Sequence, residues 1–216
     1  MGRSFLKAQP PHVDPTNEAG ASGPAVRTRL VPQAFFRRDA RLVAPQLLNK
    51  ILLASDGRSG RIVEVEAYRG AIDPAAHSYN GKTKRNATMF GPPGHMYVYF
   101  TYGMHWCCNA VCDDASAVLL RALQPLTGLA QMRAARPAAK RDRDLCSGPA
   151  RLTQAMGIGG IHDGIKLFTR SAPFALVDDD VAPPANPLGH ARVGISRGEE
   201  HLWRWYVDGS AHVSKP

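Results

Sequence analysis

The stretch MYVYFTYGMHWCCNAVCDDASAVLLRAL, residues 96–123, decides the fold. It reads as three strands, 96–102, 105–112 and 117–123, separated by Gly103 and by the Asp-Asp-Ala-Ser turn at 113–116. Consecutive strands joined by such short turns make an antiparallel meander. Upstream lie the Gly-Pro-Pro-Gly turn at 91–94, a polar loop over 70–86, a strand over 61–68, a turn rich in Ser, Asp and Gly, and a strand over 51–54. Asp39 is placed to cap a short helix running to Leu48. Downstream, helices are expected over 126–136 and 147–156, the second capped by Ser147 with Pro149 in its first turn. Late strands are read at 166–169, 191–196 and 203–207. Strands in a meander with helices grouped at its flanks predict an α+β fold. The expectation is a flexible tail over 1–28, rich in Pro, Gly, Ser and Ala, and a single compact domain over 29–216.

Composition narrows the function. At 216 residues, 44% hydrophobic and 21% charged, the chain can build a core, and global disorder is excluded. No apolar run reaches the roughly 18–20 residues that a bilayer crossing needs, so no membrane association is expected. The N-terminal stretch has no apolar core of a secretory signal, and four cysteines, two of them adjacent, do not form a disulfide framework; both point to the cytoplasm. The net charge is +9. Between Pro74 and Arg141 the only acids are Asp113 and Asp114, against Lys82, Lys84, Arg85, Arg121, Arg133, Arg136, Lys140 and Arg141. Such an excess suits a polyanionic partner, nucleic acid above all, although a basic solvated surface would look the same.

Strand parity groups the candidate site residues. Over 61–68, Val63, Val65 and Ala67 fall on one face, and Glu64, Glu66 and Tyr68 on the other. Over 96–102, Tyr97, Tyr99 and Thr101 share a face opposite Val98 and Phe100. Carboxylates on one strand, tyrosines on another and His77 in the loop between them suit a site that stacks a flat, cationic ring and attacks it with water. Solvated glutamates and packed tyrosines would give the same pattern.

His105, Cys107, Cys108, Cys112 and Cys146 could be read as a zinc set, but alternation sends Cys107 and Cys108 to opposite faces and no CxxC pair is present. Small buried hydrophobes are the better reading of these cysteines, and no metal site is assigned. The chain holds no phosphate-binding P-loop, no dinucleotide-binding glycine pattern and no HExxH.

Taken in order, RIVEVEAYRG (61–70), DPAAHS (73–78), TKRNATMFGPPGHMYVYFTYGMHWCCN (83–109), AVLLRALQP (117–125), LCSGPARLTQAMGI (145–158), RVGIS (192–196) and WRWYVDGS (203–210) resemble the alkyladenine (3-methyladenine) DNA glycosylase family of bacteria and mammals. The resemblance runs from about Val31 to Ser214 and is weakest over 159–189. It implies a curved antiparallel sheet flanked by short helices. The implied activity is monofunctional hydrolysis of the N-glycosidic bond of damaged purines, leaving an abasic site, with neither metal nor organic cofactor. The resemblance makes Glu66 the general base for water, with Arg121 and the backbone carbonyl of Val193 helping to hold that water. Tyr68, His77 and Tyr99 would wall the flipped base, the main chain at His77 meeting the purine edge. Asn109 would crowd the 2-amino group of normal guanine. Tyr102 would enter the duplex where the base has left, and Arg151 would lie near the DNA backbone. The implied partner is double-stranded DNA carrying damaged purines, met by a monomer associated with the bacterial nucleoid.

The physics agrees with that allocation. A stacked base hides its glycosidic bond, so it must be extruded at a cost of a few kcal/mol, which an inserted side chain partly offsets. Alkylation at N3 or N7 makes the purine cationic, which improves the leaving group and draws it to aromatic faces. Two other readings carry different expectations: a silent lesion-binding protein that kept the fold, and a metal protein or other hydrolase using the His/Cys cluster. Glu64 has no role in the resemblance, and a structural ion pair is expected for it.

Overall fold

The computed structural model describes residues 28–101 and 103–214. All but one residue of the expected tail, and Tyr102, therefore lie outside the described residues. The strands are β1 (Arg29–Leu30), β2 (Ile51–Ala54), β3 (Ser59–Tyr68), β4 (Met96–Thr101), β5 (His105–Val111), β6 (Ala117–Thr127), β7 (Phe174–Asp178) and β8 (Arg204–Tyr206). Four α-helices accompany them: α1 (Gln33–Phe36), α2 (Ala40–Leu47), α3 (Leu129–Ala135) and α4 (Pro149–Met156). The strands form one curled sheet in the order β1-β7-β2-β3-β6-β5-β4, with β8 added beside β3. Every pairing is antiparallel. The expected meander is present as β4-β5-β6, and the α+β class holds.

The helices bury apolar stripes against the sheet. In α2, Ala40, Val43, Ala44 and Leu47 are buried at the spacing of one helical face, and Asp39 accepts a hydrogen bond from the Arg41 amide as its cap. In α4, Leu152, Ala155 and Met156 do the same. Together with Leu52, Ile62, Val65, Leu120 and Leu123 they make one contiguous core.

β3 changes partner halfway along. Its first residues, Ser59 to Arg61, pair with β2, whereas Glu64 to Glu66 pair with β8; β6 runs along the other edge throughout. The junction is marked by two irregularities: Val63 is skipped on β3, and Arg121 is skipped on β6 between the Glu64–Ala122 and Val65–Leu120 partners. An extra residue bends a strand and re-aims its side chain, and such bulges gather beside active sites. Here they correct the simple parity of 61–68. Ile62, Val65 and Ala67 share the main core, and Val63, buried at the bulge, is not part of it.

The remaining differences from the sequence reading are local. Residues 166–169 form no strand, only a single bridge between Lys166 and His95, and 191–196 is a loop preceded by a bridge at His190. β7, which pairs with β1 and β2, and β1 itself have no counterpart among the strands expected from the sequence. β6 continues to Thr127, so α3 starts only after Gly128, whose positive φ no side chain favours. Gly148 rather than Ser147 occupies the cap of α4; the Ser147 hydroxyl instead accepts from Arg151 Nη1 at 3.1 Å.

Candidate active site

The alternation of β4 builds one wall of a cavity of about 400 Å³: Tyr97, Tyr99 and Thr101 line it, while Val98 joins the core. Across the β4–β5 pairing, Tyr97 faces Asn109 and Tyr99 faces Cys107, and both partners line the cavity too. β3 and β6 contribute Tyr68, Leu119 and Arg121. Two loops complete the enclosure, one bearing His77 and the other running from Val193 to Arg197. The first loop leaves β3 through Gly70, at φ 43°, where a Cβ would lie 2.3 Å from the carbonyl oxygen of Asp114; only glycine fits.

The walls are aromatic. Tyr97 and Tyr99 are stacked at 5.5 Å between centroids, and His77 meets Tyr99 edge-on at 4.4 Å. His77 Nδ1 lies 3.0 Å from the Tyr97 hydroxyl, and burial, reinforced by Arg85, lowers its pKa and favours the neutral ring. Burial raises the Tyr97 phenol to about 12 and Tyr99 higher still, so both remain protonated. Asn109 is buried and its amide donates to the Tyr97 carbonyl, which fixes its orientation against the cavity.

Beneath these walls sits Glu66, fully buried. Its Oε1 accepts the Val193 amide at 2.7 Å and lies 3.2 Å from Arg121 Nη1, and its Oε2 accepts the Tyr68 hydroxyl at 2.8 Å. Burial raises its pKa, and Glu64 adds to the rise; Arg121, the Val193 amide and the Tyr68 hydroxyl oppose it without cancelling it. A carboxylate that is partly desolvated yet still hydrogen-bonded is a competent acceptor for a proton from water.

Glu64, two residues away, has the structural ion-pair role expected of it. Its Oε1 accepts Arg121 Nε and Arg204 Nε, each at 2.8 Å, and Ser214 contributes its amide and hydroxyl. Burial pushes its carboxyl up, but Arg121 and Ser214 outweigh this and hold it low. The bulges do not turn it away: they let Arg121 bridge both glutamates. A second buried pair, Arg192 with Asp73, ties the two cavity loops together through bonds of 2.6 and 2.9 Å.

Of the residues singled out in the sequence, Tyr68, His77, Tyr99, Asn109, Arg121 and Val193 all line the cavity, and Glu66 lies directly behind them. Val193 reaches Glu66 through its amide. Arg151 lies outside the cavity on α4, two residues beyond Pro149, which lines it. Cys107 faces the cavity and Cys108 the core, and among the described residues no three His, Cys, Asp or Glu side chains are grouped to hold a metal. The resemblance gives no role to Tyr97, although strand parity sets it beside Tyr99, nor to Cys107, which pairs with Tyr99 across β4 and β5. It also gives none to Asp73 and Arg192, which lie 119 residues apart and carry no local signal of their pairing.

An aromatic-walled cavity with a buried, hydrogen-bonded carboxylate behind it has the shape and chemistry suited to a flat ring and to the activation of water. Comparison with known proteins identifies the class. The model of the methylpurine-DNA glycosylase (MPG) family matches residues 34–211. A protein of Burkholderia cenocepacia (strain HI2424) is 68% identical over 188 residues, 86% of this chain and 91% of its own length. Relatives from Rhodopseudomonas palustris (strain BisB18) and Agrobacterium fabrum (strain C58 / ATCC 33970) are 50% and 48% identical, covering 85% and 86% of this chain and 90% and 92% of their own lengths. All three bear the name "Putative 3-methyladenine DNA glycosylase". The chain belongs to the methylpurine-DNA glycosylase family. It is a monofunctional DNA glycosylase, a hydrolase of N-glycosyl bonds acting in base-excision repair. Among the described residues no helix is long and apolar enough to cross a membrane.

Proposed function

We propose that this glycosylase extrudes alkylated or deaminated purines, of the 3-methyladenine, 7-methylguanine and hypoxanthine class, from duplex DNA into the aromatic cavity and hydrolyses their bond to the sugar. The observation that carries the reading is Glu66, buried behind the cavity with both oxygens held by cavity residues. Glu66 takes a proton from water as the water oxygen bonds to C1′. The C1′–N bond breaks, its electron pair leaves with the purine, and an abasic sugar remains. A cationic alkylpurine departs neutral; hypoxanthine must gain a proton as it leaves. Arg121 and the Val193 carbonyl orient the water. Tyr68, His77 and Tyr99 enclose the ring, and the His77 main chain meets its edge. Asn109 excludes the 2-amino group of guanine, Tyr102 fills the gap in the duplex, and Arg151 contacts the backbone.

The domain spans 29–216 and works as a monomer in the cytoplasm, on nucleoid DNA, with residues 1–28 as a tail. The basic surplus between Pro74 and Arg141 adds affinity that is independent of sequence and weakened by salt. Single-turnover excision on duplexes carrying one lesion each, with alkali revealing abasic sites, tests the reading. Excision by the wild type that vanishes in Glu66→Gln supports it. Full activity in Glu66→Gln would sink the mechanism, and tight lesion binding without any excision by the wild type would make the protein a silent lesion binder.

A further inference from the structure

The Tyr68 ring, which lines the cavity, is backed by a cation. Arg192 Cζ lies 4.8 Å from its centroid and 5.2 Å from that of Trp203, which in turn stacks on His201 at 4.1 Å. Arg192 itself takes no part in lining the cavity. Its side chain and that of Asp73 are both fully buried, and they meet in a two-pronged pair. The remaining contacts of the guanidinium go to the carbonyls of Ala67 and Gly198, while Asp73 also accepts the amides of Arg69 and Ala75.

A guanidinium on one face of an aromatic ring draws electron density toward itself and repels a second cation stacked on the other face. Buried charges are poorly screened, so the repulsion would reach through the ring. Asp73 removes it by making the buried unit neutral. The other guanidiniums near the cavity are answered differently. Arg121 is balanced by Glu64 and Glu66, and Arg85, 5.9 Å from the Tyr99 ring, is exposed to screening solvent, as is Arg197 at the cavity.

We infer that Asp73 is a specificity-determining residue: by neutralising Arg192 behind the Tyr68 ring, it permits a positively charged purine to stack on the cavity face of that ring. Asp73 does not touch substrate; it acts through Arg192 and Tyr68. The inference rests on the glycosylase reading and deepens it, because it assigns preference for cationic over neutral lesions to a charge pair outside the cavity.

Two lesions compared on one preparation cancel any loss of folded protein. In a Glu66→Gln background, which holds the lesion uncleaved, dissociation constants are measured for otherwise identical duplexes carrying 7-methylguanine, which is cationic, or hypoxanthine, which is neutral. Adding Asp73→Asn, nearly isosteric and still able to accept from Arg192, should weaken the 7-methylguanine duplex relative to the hypoxanthine duplex by on the order of tenfold. Neutralising both partners, Asp73→Asn with Arg192→Gln, should return the ratio to that of the background protein. Should Asp73→Asn fail to fold, Arg192→Met decides: lacking the cation, it must not shift the ratio against 7-methylguanine. A ratio unmoved by Asp73→Asn, a double variant that keeps the Asp73→Asn bias, or a shift against 7-methylguanine in Arg192→Met would each overturn the inference while wild-type excision leaves the glycosylase reading standing. Absence of wild-type excision and of lesion binding would bring down both.

Discussion

The two buried glutamates of β3 lie two residues apart and have opposite fates. Around Glu64 the surroundings are a closed polar knot: two guanidiniums, a backbone amide and a hydroxyl converge on one carboxylate and keep it ionised. Around Glu66 the described residues supply a single guanidinium, shared with Glu64, and the groups that complete its shell belong to the cavity wall. Burial then dominates and its pKa rises. The lesson is that burial alone does not set the pKa of a carboxylate. What separates the two is the number of cations supplied and whether the partners can be reached by substrate and water. Arg121, thrust between them by the bulge on β6, gives its Nε to one and lies with its Nη1 beside the other.

That contrast can be broken by mutation. The largest effect belongs to Glu66→Gln, where single-turnover excision should fall by about 10²–10⁴-fold with lesion binding changed only a few-fold. A substitution with wild-type kinetics would remove Glu66 from the chemistry. Glu64→Gln acts on the other region. It removes one of the two carboxylates that answer Arg121, and denaturant unfolding should show a loss of about 3–5 kcal/mol, the cost of breaking a buried pair. If stability were unchanged, the knot would not be structural.

The difference in pKa direction gives two pH tests. Glu66 must be ionised to accept a proton and its pKa is raised, so the excision rate should fall, on acidification, at a pH above the ordinary glutamate range. Tyr68→Phe keeps the stacking ring but removes a hydrogen bond to the carboxylate, so the acid limb should move to still higher pH while the plateau rate changes little. An unmoved limb would show that Tyr68 serves stacking alone. For Glu64 the sign is reversed. Its lowered pKa contributes stability that is present above the unfolded value and lost as pH falls through the folded one, so acid unfolding should be less steep in Glu64→Gln than in the wild type. The smallest effect lies outside both regions: Arg151→Ala should weaken binding to lesion and undamaged duplex alike and reduce the salt slope of log K by about one.

Much of the site was legible in the sequence because a strand alternates. Tyr97, Tyr99 and Thr101 had to share a face, and so did Glu66 and Tyr68. The short turns within 96–123 fixed the meander for the same local reason. What parity could not reveal were the bulges at Val63 and Arg121, since an extra residue is recognisable only against a partner strand. The errors at the C-terminal end have a similar origin. Residues 191–196 are apolar enough for a strand, but the Val193 amide is turned onto Glu66 instead of a neighbouring strand, and Arg192 is turned onto Asp73. β7 gains its ladder from β1 and β2, partners more than a hundred residues away in the chain.

The sequence by itself therefore determined the α+β class, the central meander and the family, because hydrophobic alternation and ordered motifs are properties of contiguous residues. Only the tertiary structure decided which groups clamp Glu64 and which surround Glu66, and which loops line the cavity. Those outcomes depend on desolvation and on charges brought together from distant segments, and the energy of a buried charge is set by every group around it.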